Sequence, residues 1–147
     1  MEITTERVTG YDKDLITLLF QKAGEGKNTD PNPWFFSDPH NILLVAYANR
    51  EPAGFLYAYT LPGLKTPYPK MFLYSIDVFR DYRRQGIAGR LIIELKKLAK
   101  ENRCSEIFVM TNQSNGPAME LYTKTGGRVA NGDDILFVYD RETLPHQ

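Results

Sequence analysis

Leu73-Tyr74-Ser75-Ile76-Asp77-Val78-Phe79 runs through a charged turn, Arg80-Asp81-Tyr82-Arg83-Arg84-Gln85, into Gly86-Ile87-Ala88-Gly89-Arg90. The first seven residues are apolar, β-branched or aromatic apart from Ser75 and Asp77, the composition of a buried strand. After Gly86, apolar residues recur at Ile87, Leu91, Ile92, Leu95, Leu98 and Ala99, while Arg90, Glu94, Lys97 and Lys100 fall on the other side. That spacing predicts an amphipathic helix. A glycine-bearing turn that opens a helix presents unpaired N–H groups and the positive end of the helix dipole, which suits a phosphate. The N–H groups expected to serve are those of Arg84, Gln85, Gly86, Ile87, Ala88 and Gly89.

Outward from this stretch, length and composition set the frame. The 147 residues fit one domain, 1–147, able to bury a core without metal or disulfides. Eighteen basic and eighteen acidic side chains cancel, so no basic field favours nucleic acid and no basic amphipathic face favours a membrane. Cys104 is the single cysteine and is expected to be a small apolar residue near a strand. The N-terminus lacks a hydrophobic signal core, which leads to the expectation of a cytoplasmic protein. His40 and His146 have no ligand-spaced partners, so no metal is expected.

Upstream, Ile3–Val8 suits an edge strand, Asp12 a helix N-cap, and Leu15 to Phe20 a helical stripe ending near Gly24. Gly24-Glu25-Gly26-Lys27 invites a phosphate-loop reading. It lacks the upstream glycine, and Asn28 stands where such a loop has Ser or Thr, so a helix stop is the better reading. Asn28 to Pro39 mixes breakers with Trp34, Phe35 and Phe36. These suit either a capped short helix that fills core or a substrate flap. Asn41–Ala48 and Pro52–Leu61 predict two strands about a turn at Asn49-Arg50-Glu51.

Downstream, Ser105–Met110 predicts a short strand. A helix opens at Gly116-Pro117 and stops at Gly126-Gly127. Arg128–Ala130 and Ile135–Tyr139 suggest a terminal strand pair around Asn131–Asp134. The second of these, apolar and poor in charge, is suited to pair across a homodimer.

Two segments carry a family resemblance. Arg83, Gly86 and Ala88 match the (Arg/Gln)-x-x-Gly-x-(Gly/Ala) signature of the GNAT N-acetyltransferases, and Asn115 to Gly126 resembles that family's second cofactor segment. The resemblance implies an α/β (α+β) fold, with a central mixed, mostly antiparallel sheet splayed around Ile76–Val78 and flanked by about four helices. The implied element order is β-α-α-β-β-β-α-β-α-β-β. It also implies acetyl-coenzyme A as cofactor. The pyrophosphate would lie on the Arg83–Gly89 turn, the pantetheine arm against Ile76-Asp77-Val78, and the lower arm near Asn115 and Ala118.

Within the family, Gly54-Phe55-Leu56-Tyr57-Ala58-Tyr59, Leu61-Pro62 and Leu121-Tyr122-Thr123-Lys124 resemble the aminoglycoside 3-N-acetyltransferases of the gentamicin-resistance type. The match spans about residues 54–126. This resemblance implies transfer of acetyl to the 3-amino group of an aminoglycoside. Another small-molecule or protein amine, or a catalytically silent acetyl-coenzyme A module, stays open.

The candidate chemistry follows from residue type. Tyr122, which the resemblance implies lies beside the cofactor sulfur, is a phenol with pKa near 10 and can protonate a departing thiolate. Asp77, a carboxylate in an apolar strand, is costly unless paired or in use, and it suits a base or ammonium anchor. A polycationic acceptor needs carboxylates, and Asp30, Asp38, Asp133, Asp134 and Asp140 are the candidates outside the cofactor segments.

Overall fold

A computed structural model describes residues 1–145; His146 lies outside the described residues. The elements are β1 (Ile3–Arg7), α1 (Lys13–Lys22), β2 (Asn41–Ala48), β3 (Glu51–Leu61), β4 (Lys70–Val78), α2 (Ile87–Glu101), β5 (Glu106–Phe108) and α3 (Gly116–Lys124). There are 3-10 turns at Pro33–Ser37 and Arg80–Tyr82. One sheet runs in the order β1-β2-β3-β4-β5, antiparallel except for the parallel β4–β5 pair. This is the expected mixed, mostly antiparallel α/β sheet.

Local chemistry accounts for the joints. Asp12 caps α1 by accepting from Leu15 N–H at 3.0 Å, and Asn32 caps the 3-10 turn by accepting from Trp34 N–H at 3.0 Å. Asn49 and Arg50 both take positive φ between β2 and β3, as a two-residue hairpin turn requires.

The sheet is covered on both faces, which explains why β2 and β3 are apolar almost throughout. On one face Ile42, Leu44, Leu56, Met71 and Leu73 meet the apolar stripe of α2: Ile87, Leu91, Leu95 and Ala99. On the other, Leu43, Val45, Phe55 and Phe79 pack with Leu19 of α1.

Three expectations are corrected. The second helix of the expected order is the 3-10 turn at Pro33–Ser37, because prolines at 31, 33 and 39 break the segment before a full α-helix can propagate. Among the described residues three α-helices therefore flank the sheet, not about four. The terminal strand pair is absent: residues 128–139 carry no strand. Asn131 ties this segment into a local turn, its side chain accepting from Asp133 N–H at 3.0 Å. Ile135–Tyr139 stays exposed and pairs with none of the strands β1 to β5. Strand composition without a partner edge does not make a strand.

Candidate active site

Two breaks in β4 build the site. The first is a register shift. Tyr57 lies opposite Ser75 and Ala58 opposite Leu73, so Tyr74 is the extra residue of a β-bulge. Tyr74 and Ser75 consequently turn toward the same face of the sheet, the α1 face, where both line one cavity. Alternation then resumes: Asp77, opposite Phe55, points to the α1 face, and Ile76 and Val78 pack toward α2.

The second break is the splay. β4 pairs with β5 only over Lys70–Phe72 against Glu106–Phe108, and the Phe72 and Phe108 rings stack at 4.7 Å where pairing stops. Among the described residues, the β4 backbone from Leu73 to Val78 has no strand on that side. Its free main-chain groups can pair with an extended ligand as an added strand would.

The turn after β4 fits a pyrophosphate. Gly86 is the N-cap residue of α2 at φ 74°, a left-handed conformation that favours glycine. The first helical bond of α2 is Arg90 N–H to Gly86 C=O at 3.1 Å. Among the described residues the N–H groups from Arg84 to Gly89 have no acceptor. A side chain added at Gly86 would meet nothing within 4 Å, so the space in front of the turn is open. Arg84 extends the left-handed geometry at φ 64°. Arg83 is turned back instead: its Nε donates to Val78 C=O at 3.0 Å, and Nη2 lies 4.0 Å from Asp77. Arg83 thus braces the strand end beside the carboxylate.

Tyr122 comes from α3, whose N-cap Asn115 accepts from Ala118 N–H at 3.2 Å. The two residues expected at the cofactor's lower arm therefore open this helix together. Tyr122 packs half-buried against the α2-side core, and burial raises its phenol pKa. Asp77 and Tyr122 sit on opposite faces of the sheet.

A cavity of about 630 Å³ opens on the α1 face. Phe35, Tyr57, Tyr59 and Tyr74 give it an aromatic wall, with Glu25 and Asp30 among its other lining residues. Of the expected acceptor carboxylates, Asp30 alone lines it. Asp38 borders a separate cleft of about 200 Å³ and accepts from His40 N–H at 2.9 Å, which helps hold its pKa below the usual value. Asp133, Asp134 and Asp140 line neither cleft, because the segment carrying them does not fold back as a strand. The flap alternatives divide residue by residue. Trp34 is 78% exposed, whereas Phe35 and Phe36 line the cavity and pack on the core.

Glu25, Tyr57, Tyr59 and Tyr74 were not among the sequence candidates. Alternation along β3 could have placed Tyr57 and Tyr59 on one face. The bulge that brings Tyr74 beside them has no comparable sequence signal.

Burial raises the Asp77 pKa, Arg83 pulls it down, and Glu25 pushes it up. A carboxyl raised on folding binds its proton more tightly in the native state. Its contribution to stability is present below the ordinary value of 3.8 and is lost as pH rises through the folded value. Asp77→Asn is therefore expected to raise Tm at pH 7, with the difference shrinking below pH 3.8. A lower Tm at pH 7 in thermal melts would show that the Arg83 contact outweighs desolvation.

A splayed strand followed by a glycine-capped helix turn, with a cavity on the far face of the sheet, is an arrangement that suits a coenzyme A-dependent acyltransferase. The chain belongs to the acetyltransferase (GNAT) family, matched over residues 13–127, and acetyl-coenzyme A is the cofactor of that family. It is 30% identical to an aminoglycoside N(6')-acetyltransferase type 1 of Serratia marcescens, over 74% of this chain and 74% of that one. It is 32% identical to an N-alpha-acetyltransferase of Saccharolobus solfataricus over 58% of this chain, spanning about half (54%) of that relative's length. Among solved structures, an aminoglycoside acetyltransferase from an uncultured soil metagenomic sample, in complex with trehalose, superposes with a TM-score of 0.81. That pair shares 25% identity, covering 94% of this chain and 95% of the other.

Proposed function

We propose that this protein transfers the acetyl group of acetyl-coenzyme A to a primary amine of an aminoglycoside. The observation that carries the reading is the cavity on the α1 face, which reaches Ser75 on the strand that also presents Asp77 and bears carboxylates on an aromatic wall. The cofactor supplies an acetyl thioester.

The N–H groups from Arg84 to Gly89 hold its pyrophosphate, and the free edge of β4 at Ile76 and Val78 aligns its arm. Asn115 and Ala118 flank the lower arm. Asp77, on the acceptor side, takes a proton from the bound ammonium, directly or through water, so that the amine has a lone pair for attack. Tyr122, on the other face of the sheet, gives its proton to the departing sulfur, and its raised pKa keeps it protonated at neutral pH. Asp77→Asn is accordingly expected to lose more turnover at pH 6 than at pH 9, where free amine needs no base. An equal loss across that range in kcat/KM profiles would leave Asp77 an anchor only.

Two acceptor positions are supported by different features. The Ala58-Tyr59-x-Leu61-Pro62 strand end and the Leu121–Lys124 run favour the 3-amino group. The Serratia relative, named for the 6' position, favours the 6'-amine. We place the 6'-amine first, because that relative is matched over 74% of both chains. The test is NMR of the product made from an aminoglycoside bearing both amines. An acetamide at C6' supports this order, and acetylation at C3 reverses it.

A further inference from the structure

The cavity holds more than the reaction needs. Tyr74 is 56% exposed, stacks on Tyr57 at 5.3 Å and 29°, and meets Tyr59 edge-on at 5.8 Å. Tyr57 in turn meets Phe35 edge-on at 6.4 Å. Among the described residues the hydroxyls of Tyr57, Tyr59 and Tyr74 have no hydrogen-bond partner, whereas Tyr11 donates to Pro31 C=O at 3.4 Å. An exposed tyrosine wall with free hydroxyls suits a ring that is apolar on its faces and hydroxylated at its edge.

Glu25 has an equally particular placement. α1 ends with Gly24 at φ 80°, with Gly24 N–H donating to Gln21 C=O at 3.1 Å and Glu25 N–H donating to Phe20 C=O at 2.8 Å. This pair of bonds is a Schellman cap, and Glu25 occupies the position that usually carries an apolar residue packed back on the helix. Glu25 stands there instead: the cap sets its backbone at the cavity lining, and its carboxylate has no ion-pair partner among the described residues. Its charge acts on Tyr57 in the lining and on Asp77. Burial pushes the Tyr57 phenol up to about 12, with Tyr59, Tyr74 and Glu25 adding to the effect, and Glu25 also raises Asp77. Lys27 is the one basic residue of the lining, so negative charge and aromatic faces dominate the space. Such a space attracts a cation.

Resting on the proposed acetylation of an aminoglycoside, we infer that Tyr74 and Glu25 form a second acceptor subsite: a non-reacting aminosugar or aminocyclitol ring lies on the tyrosine wall, and its ammonium is held by Glu25. The subsite sets specificity and touches no reacting atom. A multi-ring polyamine uses it, and a single-ring monoamine reaches Asp77 without it.

The test compares neamine, with two amino-bearing rings, and glucosamine, with one amine on one ring. Glu25→Gln and Tyr74→Ala are expected to weaken neamine binding tenfold or more by calorimetry on the protein saturated with coenzyme A. They should also raise the neamine KM with little change in kcat. Tyr74→Phe, which keeps the ring, should restore binding to within threefold of the parent. Acetyl-coenzyme A affinity and the glucosamine KM should stay within twofold in all three variants. If the parent acetylates neamine but the variants bind it as the parent does, the subsite is wrong and the proposed activity stands. Equal losses for neamine and glucosamine would also overturn the subsite, since they would mean general damage to the pocket. Neamine that binds the parent through Glu25 and Tyr74 without being acetylated would support the subsite and count against the activity. A parent that neither binds nor acetylates neamine overturns both.

Discussion

Gly86→Asp is expected to abolish measurable acetyl-coenzyme A binding while leaving the protein folded. Parent affinity in the micromolar range corresponds to about −8 kcal/mol. Two penalties act against the variant at one position. Gly86 has φ 74°, where a side chain costs ~1–2 kcal/mol. The new carboxylate would occupy the space before the α2 turn that a pyrophosphate must enter, and it would repel the phosphates at close range. Because a Cβ at Gly86 meets no atom within 4 Å, steric damage to the core is not expected. Gly86→Ala separates the two effects, since it carries the backbone strain without the charge. By calorimetry Gly86→Ala should bind within about tenfold of the parent, a loss equivalent to ~1.4 kcal/mol, while Gly86→Asp shows no heat of binding. Unchanged binding in a folded Gly86→Asp protein would move the pyrophosphate away from this turn.

Tyr122→Phe is expected to lower kcat by ~10²–10⁴-fold with cofactor affinity largely kept, the range typical of general acid catalysis. The substitution removes one oxygen from a half-buried ring that packs on the α2-side core, so its packing is preserved. The pH behaviour distinguishes a proton donor from a packing residue. Burial raises this phenol's pKa, so the parent should keep its acid form throughout the neutral and mildly alkaline range. The variant should recover when the leaving thiol needs no proton, and an acyl donor with a much more acidic thiol should narrow the gap. A kcat within twofold of the parent on acetyl-coenzyme A would assign thiolate protonation to water or another group.

What the sequence made legible follows how local each signal is. The β4–α2 joint was legible because strand composition, a glycine at a left-handed N-cap and a helical stripe sit within one continuous segment. The caps at Asp12 and Asn115 and the turn at Asn49–Arg50 were legible for the same reason. The acceptor side was not, because it is assembled from segments distant in the chain. Glu25 reads as part of a helix stop, and the stop itself is what sets its backbone beside the cavity. Tyr74 escaped because a bulge, set by the pairing of β3 with β4, reverses the alternation expected along β4. The assignment of acceptor charge to Asp133, Asp134 and Asp140 depended on a terminal strand pair that does not form. Ile135–Tyr139 has strand-like composition, but pairing is a property of two edges and cannot be deduced from one.

The central claim is that the α1-face cavity receives a polyamine acceptor whose amine reaches the thioester at the splay of β4 from β5. The most direct measurement is thiol release from acetyl-coenzyme A with neamine as acceptor, coupled to mass spectrometry of the product. The expected result is thiol release dependent on neamine, a product heavier by one acetyl group, and kcat/KM that falls as salt screens the carboxylates around the cavity. Release of thiol with small monoamines or peptides, and none with neamine or any other aminoglycoside, would contradict it.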